Sequence, residues 1–239
     1  MKQRFVHLTP RLSAALDLLY GYDTVADIGC DHGRLTAALL QNRICKRVIA
    51  SDISESSLEK ARWLIDRIGL NDFISFRVGD GCEVLKPNEC DAIVLLGMGG
   101  TLMCRILDAC SIPLMGAKAV VLQPMRAQDD IRRYLYEHRY HISEDQVVRD
   151  HGRLYQVLKA VPGEQPDSLP DGFPPDFYDV GYRAFDHRAY LLGELCKQQL
   201  NNHIKMLKTA AGTEGEIVLN GKIKALKQIL HEMNEEDVL

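Results

Sequence analysis

Between residues 24 and 123 the chain alternates short apolar runs with segments in which apolar residues recur at helical spacing. The runs are Thr24–Gly29, Arg47–Ile53, Ile74–Gly79, Ala92–Gly97 and Ala117–Gln123, rich in Val and Ile. A strand that is apolar at nearly every position must be covered on both faces, so such runs interleaved with helices predict a parallel sheet between helical layers. Ahead of them, Thr9-Pro10 offers a helix N-cap and a first-turn proline, and Leu12, Leu16 and Leu19 follow at helical spacing until Gly21. After a helix near Gln128–His138 the rhythm changes. His141–Arg149 and Leu154–Val161 flank Asp150-His151-Gly152, the pattern of an antiparallel hairpin closing the sheet edge. The expectation is an α/β fold with seven strands, the last pair irregular.

The stretch from Gly163 to Pro175 is dense in Pro with Gly, Asp and Ser, and it marks a boundary. Beyond it, Leu192, Cys196, Leu200, Ile204 and Leu207 recur at helical spacing, and Leu219, Ile223, Leu226, Leu230 and Met233 form a heptad seam. Ala211–Gly215 between them reads as a turn, so two antiparallel helices zipped together are expected, with two ordinary helices packed on the main domain as the alternative. The chain divides into an α/β domain over residues 1–162, a proline-rich connection over 163–183 and a helical coiled-coil arm over 184–239.

Composition narrows the classes. With 239 residues, 46% hydrophobic and 26% charged, the chain can bury a large core, which excludes a disordered polymer. Seven cysteines without a C-x-x-C pair argue against a zinc ribbon or a redox motif, so reduced, mostly buried thiols and no metal are expected. The longest apolar run, Ala92–Gly100, is about half the ~20 residues of a membrane span, and MKQRFVHLTPRL offers no apolar leader. A cytoplasmic monomer without membrane contact is the expectation. The net charge of −4 opposes wrapping of nucleic acid, unless charge is unevenly spread. Ala184–His231 in fact carries seven Lys or Arg against four acidic residues. Lys205, Lys208, Lys224 and Lys227 are the candidates for tracking RNA phosphates, and a solvated coiled-coil face is the competing reading.

The candidate chemistry lies where the runs end. Val25-Ala26-Asp27-Ile28-Gly29-Cys30-Asp31-His32-Gly33 joins the first strand to a helix, where glycines let a ligand approach the backbone closely. A dinucleotide fingerprint needs a second glycine where this chain has Asp31, a carboxylate that repels pyrophosphate. S-adenosylmethionine carries a sulfonium and an ammonium and no phosphate, so Asp27 and Asp31 suit it. Asp52 ends the second run, placed to accept from ribose hydroxyls, and Asp80 ends the third in Val78-Gly79-Asp80-Gly81, within reach of an adenine amino group. The fourth run ends in Gly97-Met98-Gly99-Gly100, without the Asn or Asp followed by prolines that grips an exocyclic amine in amino-methylating enzymes; a flat backbone wall is expected. Gln123, polar within the fifth run and followed by Pro124, is a further candidate for the same cleft.

Taken together, DIGCDHG, ASDIS, VGDG, LLGMGG, LQPM and the stretch Arg153–Lys159 resemble the bacterial tRNA (adenine-22 N1)-methyltransferases over essentially the whole chain. The resemblance implies a Rossmann-like, seven-stranded class I methyltransferase sheet with a C-terminal two-helix antiparallel coiled coil. It implies S-adenosylmethionine as cofactor, tRNA rather than DNA as partner, and in-line methyl transfer to N1 of adenine 22. With the residue reading, the cofactor set becomes Asp27, Gly29, Cys30, Asp31, His32, Asp52, Ile53, Gly79, Asp80, Gly81, Gly97 and Met98. The substrate pocket becomes Arg11, Met98, Gly99, Gly100, Gln123 and Pro124; no side chain stands out as catalytic. The chain reads DHGRLT where the family is expected to read DHAYLP, and has Met125 where LQPN is common. A small-molecule methyltransferase would share every cofactor motif, and a non-catalytic cofactor-sensing module pairing through the coiled coil is the third reading.

Overall fold

The computed structural model describes residues 6–110, 116–164 and 169–234; the first five residues of the leading segment and residues 165–168 of the proline-rich stretch lie outside the described residues. The five apolar runs form strands β1 (Thr24–Ile28), β2 (Arg47–Asp52), β3 (Ile74–Val78), β4 (Ala92–Met98) and β5 (Ala119–Pro124). Helices α1 (Pro10–Leu18), α2 (Arg34–Gln41), α3 (Glu55–Ile68), α4 (Gly100–Cys110) and α5 (Gln128–Glu137) precede, separate or follow them. The hairpin is β6 (Tyr140–Asp150) and β7 (Arg153–Pro162).

The strands form one sheet in the order β3-β2-β1-β4-β5-β7-β6, in which β7 alone runs antiparallel to its neighbours. Chain order reverses between β1 and β4, so the loops after these two strands part and leave a crevice at the carboxyl edge. Because β7 runs against β5, with Leu122 opposite Leu158, the β6–β7 turn reaches that same edge.

Alternation along each strand sorts side chains into the two layers. Val25, Ala92 and Val94 pack with Ala15, Leu19, Leu39, Leu58 and Ile65 of α1, α2 and α3. Ala26, Ile28, Ile93 and Leu95 face the other way, toward Met103 and Leu107 of α4 and Ile131 and Leu135 of α5. This second layer also takes in the C-terminal helices α7 (Leu192–Leu207) and α8 (Glu214–Glu232), reached through a short helix α6 (Tyr182–Asp186) that the sequence pattern did not reveal. Leu192, Cys196, Leu200, Leu226 and Leu230 are buried as their spacing predicts. Leu195, Ala225 and Ile229 are buried too, a face wider than a two-helix seam, because the pair packs on the sheet layer as well as on itself.

Polar ties reinforce that docking. Asp179 accepts from His203 of α7 at 2.7 Å, and Lys222 of α8 bridges Asp179 and Asp129, each at 2.7 Å. Burial alone would raise Asp179, but His203 and Lys222 outweigh it and hold the carboxyl below its ordinary value. Lys222, counted in the arm's positive charge, is therefore already neutralised within the fold.

The thiols correct one expectation. Cys82 and Cys110 are joined in a disulfide, their Cα atoms 5.1 Å apart, while Cys30, Cys45, Cys90, Cys104 and Cys196 lie outside any disulfide. The pairing was hidden because its partners are 28 residues apart and meet only when α4 folds over the turn that follows Asp80. No described helix is long and apolar enough to cross a membrane.

Candidate active site

The site is built from the loops after β1, β2, β3 and β4. At the end of β1, Asp27 is buried and its Oδ2 accepts a 2.6 Å hydrogen bond from Thr36 Oγ1 of α2. Burial pushes the Asp27 carboxyl up to about 6; hydrogen bonds from Thr36 oppose the rise and the charge of Asp52 adds to it. The following turn folds onto β2, where the N–H groups of Gly29 and Cys30 both donate to the Ser51 carbonyl, at 2.8 and 2.9 Å. Gly33 closes this turn at φ 67°, and a Cβ there would stand 2.7 Å from the Ala61 Cβ of α3, so glycine sets how closely the turn approaches α3.

Asp52 is oriented by backbone on both sides. Its Oδ2 accepts from the Asp31 N–H at 3.0 Å and its Oδ1 from the Ser54 N–H at 2.9 Å, which leaves lone pairs on each oxygen for a ligand. Asp31 pairs with His32, Oδ1 to Nδ1, at 2.6 Å. Asp80 is exposed and opens a short 3-10 turn, Gly81–Val84, without a side-chain cap, so its carboxylate is uncommitted there. Burial, reinforced by Asp27 and Asp52, pushes the Cys30 thiol up, which keeps it a neutral part of the wall rather than a nucleophile.

On the other side β4 bulges at Gly97, and Gly100 starts α4. A Cβ on Gly100 would fall on the Ala127 carbonyl oxygen, so only glycine lets α4 meet the turn after β5. The Met98 carbonyl accepts from the Met125 N–H at 2.8 Å, and the Gly100 N–H donates to the Arg126 carbonyl at 2.8 Å. The Met98 side chain reaches across to the Gly29 turn, so the flat backbone wall expected from the sequence is interrupted there by a thioether.

These loops enclose a cleft of about 960 Å³. Asp27, Gly29, Cys30, Asp31, His32, Asp52, Ile53, Gly79, Asp80, Gly81, Gly97, Met98 and Arg11 all line it. Gly99, Gly100, Gln123 and Pro124 do not, and stand behind its wall. Gln123 is fully buried, with Oε1 accepting from Arg11 Nη1 at 2.9 Å and Nε2 donating to the Pro124 carbonyl at 3.2 Å. It reaches the cleft only through Arg11. Thr9, Leu12, Arg34, Leu102 and Ile106 line the cleft without having been singled out. Thr9 and Leu12 carried only a helix signal, and Leu102 and Ile106 only the periodicity of a helix.

A family model described as a methyltransferase domain matches residues 8–158. The tRNA (adenine(22)-N(1))-methyltransferase of Bacillus subtilis (strain 168) is 36% identical over 165 residues, 69% of this chain and 69% of that protein. The chain belongs to this tRNA (adenine(22)-N(1))-methyltransferase family. The crystal structure of the B. subtilis M1A22 tRNA methyltransferase TrmK is 31% identical to this methyltransferase, with a TM-score of 0.78 over 96% of this chain and 98% of that one. The structure of M. capricolum TrmK in complex with S-adenosyl-homocysteine, at 20% identity, shares the methyltransferase fold with a TM-score of 0.78 over 95% of this chain and 98% of that one.

Proposed function

We propose that this chain transfers a methyl group from S-adenosylmethionine to N1 of adenine 22 in tRNA. The observation that carries the reading is the convergence of Asp27, Asp31, Asp52 and Asp80 on one cleft that Gly97 and Met98 close on the other side. Four carboxylates repel a phosphate-bearing cofactor and suit one that is cationic; Asp52, with both oxygens directed, fits a ribose diol, and the free carboxylate of Asp80 fits an amino group. S-adenosylmethionine held by these residues would supply an electrophilic methyl group, to which the adenine N1 lone pair would form the new N–C bond, the electron pair of the C–S bond being left on sulfur.

The nucleophile needs no deprotonation, so the protein's task is alignment and exclusion of water. Gly97 offers backbone alone and Met98 an apolar side chain at the cleft, so a flat base can lie against them. Positive charge develops on the adenine during transfer, and a bare guanidinium beside it would oppose the reaction. An ion pair with the buried carboxylate of Asp150 offsets part of the Arg11 charge and fixes the guanidinium at the cleft, where its remaining donors suit the ribose of the target nucleotide rather than its ring. N1 lies on the Watson–Crick edge, so a paired target must be turned out at a cost of a few kcal/mol. RNA contacts from Lys205, Lys208, Lys224 and Lys227 offset that cost. In this reading residues 1–162 carry the chemistry, 163–183 connect, and 184–239 hold the tRNA, in the cytoplasm and as a monomer.

Incubation with radiolabelled S-adenosylmethionine and bulk unmodified tRNA tests the proposal. Label is expected in RNA, at an adenine whose N1-methylation arrests primer extension. Transfer to small acceptors with none to tRNA would favour the small-molecule reading instead.

A further inference from the structure

Trp63 is the only tryptophan of the chain, and it stands 60% exposed on the outer side of α3. The Arg67 guanidinium lies 4.5 Å from its ring centroid, yet most of the indole remains in solvent. A shallow groove lies against it, lined by Trp63, Lys60, Arg34 and His32 with Glu59 as its acidic member. Arg34 and His32 also line the main cleft, so the groove runs on from the mouth of the site. A large aromatic ring flanked by exposed cations suits an unpaired base with its phosphates better than it suits an apolar protein surface.

We propose that Trp63 is a stacking platform for an unpaired base of the RNA substrate, with Arg34, Lys60 and Arg67 beside the adjoining phosphates. The inference rests on the tRNA reading above and extends it by assigning a second RNA contact, on α3, apart from the lysines of α7 and α8. A base stacked there would be held near the cleft while the target adenine enters it.

Because no other tryptophan contributes, emission excited at the red edge of indole absorption reports this site alone. Titration of the wild-type protein with unmodified tRNA is expected to quench that emission, saturating with RNA binding followed by filter retention. Trp63→Ala should weaken tRNA binding roughly 5- to 20-fold and leave S-adenosylmethionine affinity and melting temperature unchanged, while Trp63→Phe keeps most of the affinity. Unmoved emission while tRNA binds, or a Trp63→Ala variant that binds tRNA as the wild type does, overturns the inference. So does an emission change on concentrating the protein without RNA, accompanied by dimer in sedimentation, which would make the face a contact between copies. If the wild type methylates tRNA yet Trp63 is unaffected, only this inference fails; if it methylates no tRNA, the functional reading itself fails.

Discussion

Arg11, at the start of the first helix, is paired with Asp150 at the tip of the β6–β7 hairpin, Nε to Oδ2 at 3.3 Å. The pair joins segments nearly the whole α/β domain apart in sequence. Gln123 at 2.9 Å and the Tyr155 ring at 5.8 Å complete the hold on the guanidinium. Asp150 is 3% exposed, whereas Arg11 is 29% exposed and lines the cleft. A buried carboxylate thus presents a fixed cation to the cleft. Asp150→Asn keeps the shape and removes the charge, so Arg11 loses its anchor. The expected result is a fall of about tenfold or more in kcat/KM for tRNA with S-adenosylmethionine affinity unchanged in calorimetry. Equal losses for Asp150→Asn, Arg11→Ala and the double variant would confirm that the two act as one unit.

Asp52 and Asp80 separate cofactor binding from folding. Asp52 accepts from two backbone N–H groups, so Asp52→Ala frees the Asp31 and Ser54 amides and should cost about 1–2 kcal/mol of stability besides weakening cofactor binding. Asp80 forms no cap, so Asp80→Ala should weaken S-adenosylmethionine by roughly tenfold with melting temperature preserved. Calorimetric titration paired with thermal unfolding distinguishes the two. Unchanged affinity in both variants would refute the assignment of the cofactor to these strand ends.

The raised carboxyl of Asp27 makes binding depend on pH. Its value in the folded apoprotein, about 6, exceeds that of an unfolded aspartate, so its contribution to stability is full below about pH 4 and is lost as pH rises through 6. A cation bound beside it favours the ionised form. Cofactor binding near pH 6 should therefore release about half a proton, seen as a dependence of the calorimetric heat on the buffer's ionisation enthalpy. Affinity should fall as pH drops below 6, and Asp27→Asn should abolish both effects.

The parts of this molecule legible in its sequence are those set by local period. Continuous apolar runs gave the five parallel strands, and Asp27, Asp52 and Asp80 could be placed because a residue ending a strand of a parallel sheet lies at one edge whatever the helices do. Asp150 was legible only as a turn residue. Its role depends on β7 being antiparallel to β5, which carries the hairpin tip to the cleft, and on α1 lying beneath it. The Cys82–Cys110 disulfide and the Asp129–Lys222–Asp179 bridge were invisible for the same reason. Gln123 shows the converse: a polar residue in an apolar strand pointed to the cleft, but its side chain is fully buried and meets the cleft only through Arg11.

Lys205, Lys208, Lys224 and Lys227 are all exposed, unlike Lys222. If they meet phosphates, each contact releases counterions on binding. Replacing all four by Gln should flatten the slope of log affinity for tRNA against log salt by about 3 and leave methyl transfer at saturating tRNA unaffected. Equal affinity and slope at low salt would leave the helical pair a structural element.

The buried pair Arg132–Asp145 should be the most sensitive point of the fold. Arg132, 1% exposed, donates to Asp145 Oδ2 through Nη2 at 2.7 Å and Nε at 3.1 Å, and to Gln156 at 2.7 Å; it also reaches the Tyr178 carbonyl, linking α5, the hairpin and the segment before α6. Burial raises the Asp145 carboxyl above its ordinary value even though Arg132 draws it down. Arg132→Met would leave that carboxyl buried without its cation, a loss of about 3–5 kcal/mol, equivalent to a fall of roughly 6–20 °C in Tm for a chain of this size. The sign of the pH dependence follows from the raised carboxyl. Without Arg132 it folds protonated, and taking up that proton costs less as pH falls toward the unfolded value near 4. The deficit of Arg132→Met relative to wild type should therefore shrink between pH 7 and 5 in denaturant unfolding. Adding Asp145→Leu should recover part of the loss, since an apolar pair leaves no buried charge; a deficit that is independent of pH and unrelieved by the second change would mean that lost packing, not the stranded carboxyl, sets the cost.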